Sequence, residues 1–176
     1  MNTLVVNYFG GPGSGKSIFA AETFAKLKWK GISTELATEY VKSKLWEGHK
    51  NIFNHQIYIL GKQHLITQRL LGKVNVVVTD SPFLLGCVYD KENNEHLQKL
   101  IVEEFKKINT YNVFLNRDSS KFEKEGRYQS LEESIEIDNR IKSLLNNNNI
   151  EFEEIQTCPE NVTVIVEKIL KKVASV

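Results

Sequence analysis

Residues 3–19 read TLVVNYFGGPGSGKSIF, an apolar run that breaks into glycines and then meets a lysine and a serine. Thr3 to Phe9 is a candidate buried strand, and a helix is expected from about Gly15 to Lys28, ending near Gly31. Between them, Gly10, Gly15, Lys16 and Ser17 stand in the fixed places of G-x-x-x-x-G-K-[S/T]. Strand, glycine loop and helix in that order make a cradle for a phosphate chain. Glycines let the backbone wrap close to anionic oxygens, where a side chain would intrude. The amides of the loop and helix start point at the anion, and the helix dipole adds to their pull. The cradle is expected to comprise Gly11, Pro12, Gly13, Ser14, Gly15, Lys16, Ser17 and Ile18. Lys16 would reach the β- and γ-phosphates, and the Ser17 hydroxyl would serve Mg²⁺. The expected ligand is a nucleoside triphosphate with magnesium.

Outward from the loop, apolar strands alternate with helical stretches. ISTELA (32–37) is a short strand candidate, TEYVKSKLW (38–46) reads as helix, and a long helix is expected over 53–71. VNVVVTD (74–80) is the strongest strand, its consecutive valines implying burial on both faces. Ser81-Pro82 breaks it. A helix over 92–107, a strand over 111–116 and a helix over 130–145 follow. In that last helix, Leu131, Ile135, Ile137, Ile141 and Leu145 recur at about one turn. The NNNN of 146–149 reads as a helix stop, IEFEEI (150–155) as an edge strand, and the C-terminal helix carries Val162, Ile165, Val166, Ile169, Leu170 and Val173 on one face. This alternation predicts an α/β sandwich with a parallel sheet, as one domain over 1–176.

Composition narrows the class. The chain has 176 residues, 41% hydrophobic and 26% charged, which suits a soluble globular domain. A net charge of +1 gives no global pull toward nucleic acid or membrane. Cys87 and Cys158 lie far apart in no metal-type spacing, and no apolar run approaches a membrane span. A cytoplasmic protein is expected.

Three classes share the phosphate loop. A GTPase needs a guanine-reading Asn/Thr-Lys-x-Asp, and NRDS (116–119) lacks the lysine. A mechanochemical ATPase usually follows its strand aspartate with a glutamate, and here Ser81 follows Asp80. A small-molecule kinase needs neither. It needs an acceptor site, a carboxylate near the acceptor hydroxyl and a basic lid. Asp80, at the carboxyl end of the valine strand, is a candidate for Mg²⁺, for the acceptor's proton, or for a plain turn cap. Glu39 is a candidate acceptor ligand or base, or a solvent-facing residue; Tyr40 beside it is a candidate stacking platform. Gln56 and Gln63 share a helix face that suits a nucleobase edge or simply solvent. His55 and His64 lack ligand spacing. RDSSKFEKEGRYQS (117–130) carries Arg117, Lys121, Lys124 and Arg127, a basic segment expected to form a lid over about 117–129. A nucleotide-gated switch or ATPase with a nucleic-acid or protein partner is the other function class left open.

Taken together, GGPGSGKS (10–17), ATEYVK (37–42), VTDSP (78–82), EGRYQ (125–129) and IDNRIKSLLNNNNIEFEEI (137–155) resemble the AAA_28-type, NadR-like P-loop kinases. That group includes ribosylnicotinamide kinase domains and phage-encoded nucleotide-kinase-like proteins. The resemblance implies a five-stranded parallel sheet ordered 2-3-1-4-5, ATP as donor and a nucleoside or nucleotide hydroxyl as acceptor. It points to Lys16, Ser17, Glu39, Asp80, Arg117 and Arg127 as site residues. Some phage members act on a hydroxymethyl group of a base within DNA, so the resemblance extends the acceptor range to hydroxymethyluracil in DNA. The chain differs from the ribosylnicotinamide kinases at KFEKEGRYQ (121–129), where Glu125 precedes the glycine instead of aspartate.

Overall fold

The computed structural model describes residues 2–117 and 130–174. Its elements run β1 (Leu4–Phe9), α1 (Lys16–Trp29), β2 (Thr34–Ala37), α2 (Tyr40–Trp46), a 3-10 turn (Lys50–Asn54), α3 (Gln56–Gln68), β3 (Val76–Thr79), a second 3-10 turn (Phe83–Leu85), α4 (Gly86–Tyr89), α5 (Glu95–Lys106), β4 (Thr110–Asn116), α6 (Leu131–Asn147), β5 (Glu153–Gln156) and α7 (Pro159–Ala174). The strands form one parallel sheet ordered β2-β3-β1-β4-β5. The glycine loop therefore leaves the middle strand, flanked by β3 and β4.

Strand alternation divides the core between two faces. Leu4, Val6, Tyr8, Val76, Val78, Val113 and Leu115 point to the side covered by α1 and α7, where Phe19, Leu27, Val162, Ile165 and Ile169 pack. Phe9 and Phe114 point to the other side, against Ile101 and Phe105 of α5 and Ile141 and Leu145 of α6. Val5 and Val77 meet Ile66 of α3 on that side. Val76, Val77 and Val78 are all fully buried, which explains why this strand reads as a continuous apolar run.

Several expectations shift. The helix expected over 53–71 is split, because His55 leaves helical geometry (φ −120°, ψ 63°) between the 3-10 turn and α3. Residues 83–89, given no helix from sequence, form a turn and a short helix, with Phe83, Leu84 and Leu85 buried over α5. In α6, Ile135 is 41% exposed, since the inward stripe is Ser134, Ile141 and Leu145. Asn146 and Asn147 belong to α6. The stop comes at Asn148 and Asn149, the latter in the left-handed region (φ 52°) that asparagine tolerates. Among the described residues, no helix is long and apolar enough to cross a membrane.

Candidate functional site

Buried β1 delivers the chain to the carboxyl edge of the sheet, where ligands of open α/β folds gather. Gly15 then takes the N-cap of α1 at φ 87°, a conformation that costs glycine little. It has no side chain to spend on the helix amides, so the first turn of α1 keeps them for an anion. A Cβ at Gly15 would lie 2.8 Å from Thr157 Cγ2, and Thr157 Oγ1 donates to Ser14 O at 3.0 Å. The segment just past β5 thus braces the loop. Ile18, the last residue of the expected cradle, is 70% exposed on α1.

Lys16 lies across the loop. Its Nζ donates to Gly10 O at 2.7 Å and to Gly11 O at 3.0 Å. Burial pulls its pKa down to about 8, against the opposing pull of Glu39, Asp80 and Asp138. The side chain remains partly accessible, so water moderates the shift. Next to it, Ser17 Oγ donates to Asp80 Oδ2 at 2.7 Å, linking α1 to the end of β3. Asp80 Oδ1 is buried and accepts no hydrogen bond among the described residues. A serine hydroxyl and a carboxylate with one oxygen unpartnered are the hard oxygen donors that Mg²⁺ takes, along with phosphate oxygens and water. Ser17 and Asp80 therefore fit that ion. Thr79 shapes the turn here: its Oγ1 donates to Ala37 O at 2.7 Å and accepts from Ser81 N at 3.1 Å.

Glu39 follows β2 as the N-cap of α2. Its pKa is raised by desolvation, and within the protein it responds to Lys16 and Asp80, which puts the three charges in one neighbourhood. As a residue Glu39 keeps a solvent-exposed surface, so the rise is tempered. The turn that carries it is held by Gln63 of α3, whose Oε1 accepts from Tyr40 N at 2.9 Å and whose Nε2 donates to Thr38 O at 3.3 Å. Gln63 is 4% exposed, so its amide is spent on backbone and is not presented to a nucleobase. His64 is half-buried, its ring 5.0 Å from that of Phe83.

A groove of about 1410 Å³ opens beside this turn, lined by Tyr40, Lys44, His55, Gln56, Tyr58 and Asp90 among others. Tyr40 and Tyr58 share a hydroxyl hydrogen bond of 2.8 Å and cross edge to face, with ring centroids 5.9 Å apart. Lys44 and Lys62 lie over their rings at 6.0 and 5.4 Å.

Arg117 does not reach over the loop's mouth as a lid residue would. Its side chain is 5% exposed and pairs with Asp138 of α6 at 2.6 Å, while Nη1 donates to Pro12 O at 2.7 Å. Lys121, Lys124 and Arg127, with the rest of the expected lid, lie outside the described residues. Asp138 and Thr157 escaped the sequence reading. The signal for Asp138 was there: it stands in the inward stripe of α6, four residues after Ser134 and three before Ile141, where a charge needs a partner.

Deoxyadenosine kinase from M. mycoides, solved with dCMP and dCDP bound, superposes with a TM-score of 0.58 at 18% identity, covering 98% of this chain and 100% of that one. Thymidylate kinase from Ehrlichia chaffeensis gives 0.59 at 11% identity, again covering 98% and 100%. Both share the fold. No curated protein sequence matches the chain. Residues 5–161 match the model of the AAA domain family AAA_28, and on that match over most of its length the chain belongs to this family.

Proposed function

We propose that the protein is an ATP- and Mg²⁺-dependent kinase that transfers the γ-phosphoryl group to a hydroxyl of a nucleoside, a nucleotide or a modified base. The observation that carries this reading is the convergence of Lys16, the Ser17–Asp80 pair with its unpartnered carboxylate oxygen, and Glu39 at one edge of the sheet. A carboxylate in the neighbourhood of the phosphate lysine, on a turn beside a groove, suits a base for an acceptor hydroxyl. The two fold neighbours are, by name, kinases of a deoxynucleoside and of a nucleotide.

The loop amides and Lys16 hold the triphosphate. Ser17 and Asp80 would hold Mg²⁺, which when bound neutralises charge on the phosphates. Glu39, its basicity raised by burial, takes the proton of the acceptor hydroxyl. That oxygen bonds to the γ-phosphorus, the bond to the bridging oxygen breaks, and ADP leaves. Tyr40 and the groove beyond it receive the acceptor. Arg127 would supply charge to the transferring phosphoryl group, whereas Arg117 holds the loop through Pro12 O. Cys87 and Cys158, both free thiols, fit the reducing cytoplasm in which we place the enzyme.

The test is ADP release across a panel of nucleosides, nucleotides and hydroxymethyluracil-containing DNA. At least one acceptor should raise turnover well above the rate with water alone. Nucleotide turnover that no acceptor changes would overturn the kinase reading in favour of a nucleotide-gated switch.

A further inference from the structure

We propose that Asp138 is a positioning residue for the phosphate loop, acting as one half of a buried clamp whose other half is Arg117. This rests on the nucleotide-binding reading above. Asp138 Oδ1 accepts from the Gly11 amide at 2.5 Å. Its Oδ2 accepts from Arg117 Nε at 3.0 Å and Nη2 at 2.6 Å. Arg117 in turn donates from Nη1 to Pro12 O at 2.7 Å and from Nη2 to Ser134 O at 3.2 Å. One guanidinium and one carboxylate thereby fix both the N–H and the C=O that open the loop.

The packing is as tight as the hydrogen bonding. A Cβ at Gly11 would lie 2.6 Å from Ser134 O, 2.9 Å from Arg117 Nη2 and 3.0 Å from Asp138 Oδ1. Only glycine lets the loop backbone rest on the clamp. Thr157 braces the far side at Ser14, so the loop is held at both ends while its middle faces the ligand.

The charges explain why a pair is used. Asp138 acts electrostatically on Lys16, so it stands close to where phosphates bind. A lone carboxylate there would repel the triphosphate, and a lone guanidinium would be drawn into it. The Arg117 side chain is 5% exposed and that of Asp138 14%, so each depends on the other for neutralisation. The clamp is a preorganisation device: it sets the loop's shape before the ligand arrives, and its loss falls on binding more than on the chemical step.

The experiment measures MgATP affinity by calorimetry, with kcat and KM for ATP, in wild type, Asp138→Ala, Asp138→Asn, Arg117→Ala and the Arg117→Ala/Asp138→Ala double variant. Thermal unfolding is followed alongside. Asp138→Ala should weaken ATP binding at least tenfold and raise KM for ATP more than it lowers kcat. Asp138→Asn, which keeps an acceptor for Gly11 but loses the charge, should fall between. The double variant should be no worse than twice the poorer single variant, because both break one device. If Asp138→Ala does not fold, Asp138→Asn must still show at least a threefold loss. Glu153→Gln, which breaks a remote ion pair with Lys168, should leave ATP affinity unchanged. ATP affinity within twofold of wild type in folded Asp138→Ala, or in Asp138→Asn if that variant alone folds, overturns the clamp while leaving the kinase reading intact. Failure of the wild type to bind MgATP overturns both.

Discussion

At the residue scale, the site depends on charges that only a ligand can fully satisfy. Lys16 is the clearest case. Its pKa of about 8 lies below the ordinary 10.5, so the unfolded chain binds more protons than the ligand-free fold between those values. Stability of the ligand-free protein should therefore rise as pH climbs from about 8 toward 10.5, and Lys16→Met should remove that rise in urea titrations across the range. Bound triphosphate favours the cation, so KM for ATP should increase above about pH 8 in the wild type. A flat KM through pH 9.5 would contradict the assignment. Asp80 makes the complementary prediction. The carboxylate's unpartnered oxygen, with its other oxygen bonded to Ser17, is the feature that suits Mg²⁺, so Asp80→Asn should raise the Mg²⁺ concentration for half-maximal turnover about tenfold or more. Unaltered Mg²⁺ dependence would place the ion elsewhere.

At the element scale, the question is what aims these side chains, and here the sequence was uneven. The strand, glycine loop and α1 were legible because the motif is local and each residue has one job. The valine strand was legible because burial on both faces leaves an unbroken apolar run. Gln63 was not. Its pairing with Gln56 on one helix face suggested an exposed amide surface, yet α3 turns residue 63 inward under the β2–α2 turn, and His55 breaks the chain just before. Which face of α3 is buried depends on packing against β3, and sequence spacing alone does not contain that. The same holds for Arg117, which reads as a lid residue by position but meets Asp138, 21 residues later, beneath the loop. Gln63→Ala should leave Tyr40 N and Thr38 O unpaired and cost about 1–3 kcal/mol. Because this turn carries Glu39, turnover should drop at saturating ATP while ATP affinity stays near wild type. Equal losses in both would mean that α3 supports the whole site and not the acceptor side.

At the scale of the whole molecule, the central position of β1 ties the site to global stability. The loop leaves a strand that is buried along its length, braced by β3 through Asp80, by β4 and α6 through Arg117 and Asp138, and by the exit of β5 through Thr157. Elements from both sides of the sheet therefore meet at one candidate site, and a nucleotide held there would bind only the folded chain. Mass action then requires MgATP to stabilise the fold by about 2.7 kcal/mol at a hundred times its Kd. For a domain of this length that corresponds to a rise in Tm of roughly 5–10 °C. Lys16→Ala should fold normally, since among the described residues the lysine hydrogen-bonds to loop carbonyls and not to the core, and should lose most of the rise. Differential scanning fluorimetry with and without MgATP checks this, and the acceptor panel can be run in the same format. A true acceptor should add a further increment in the presence of a non-hydrolysable ATP analogue, because Glu39 and the Tyr40–Tyr58 groove also exist only in the folded state. A full thermal shift retained by Lys16→Ala would mean that the nucleotide stabilises the protein from somewhere other than the glycine loop.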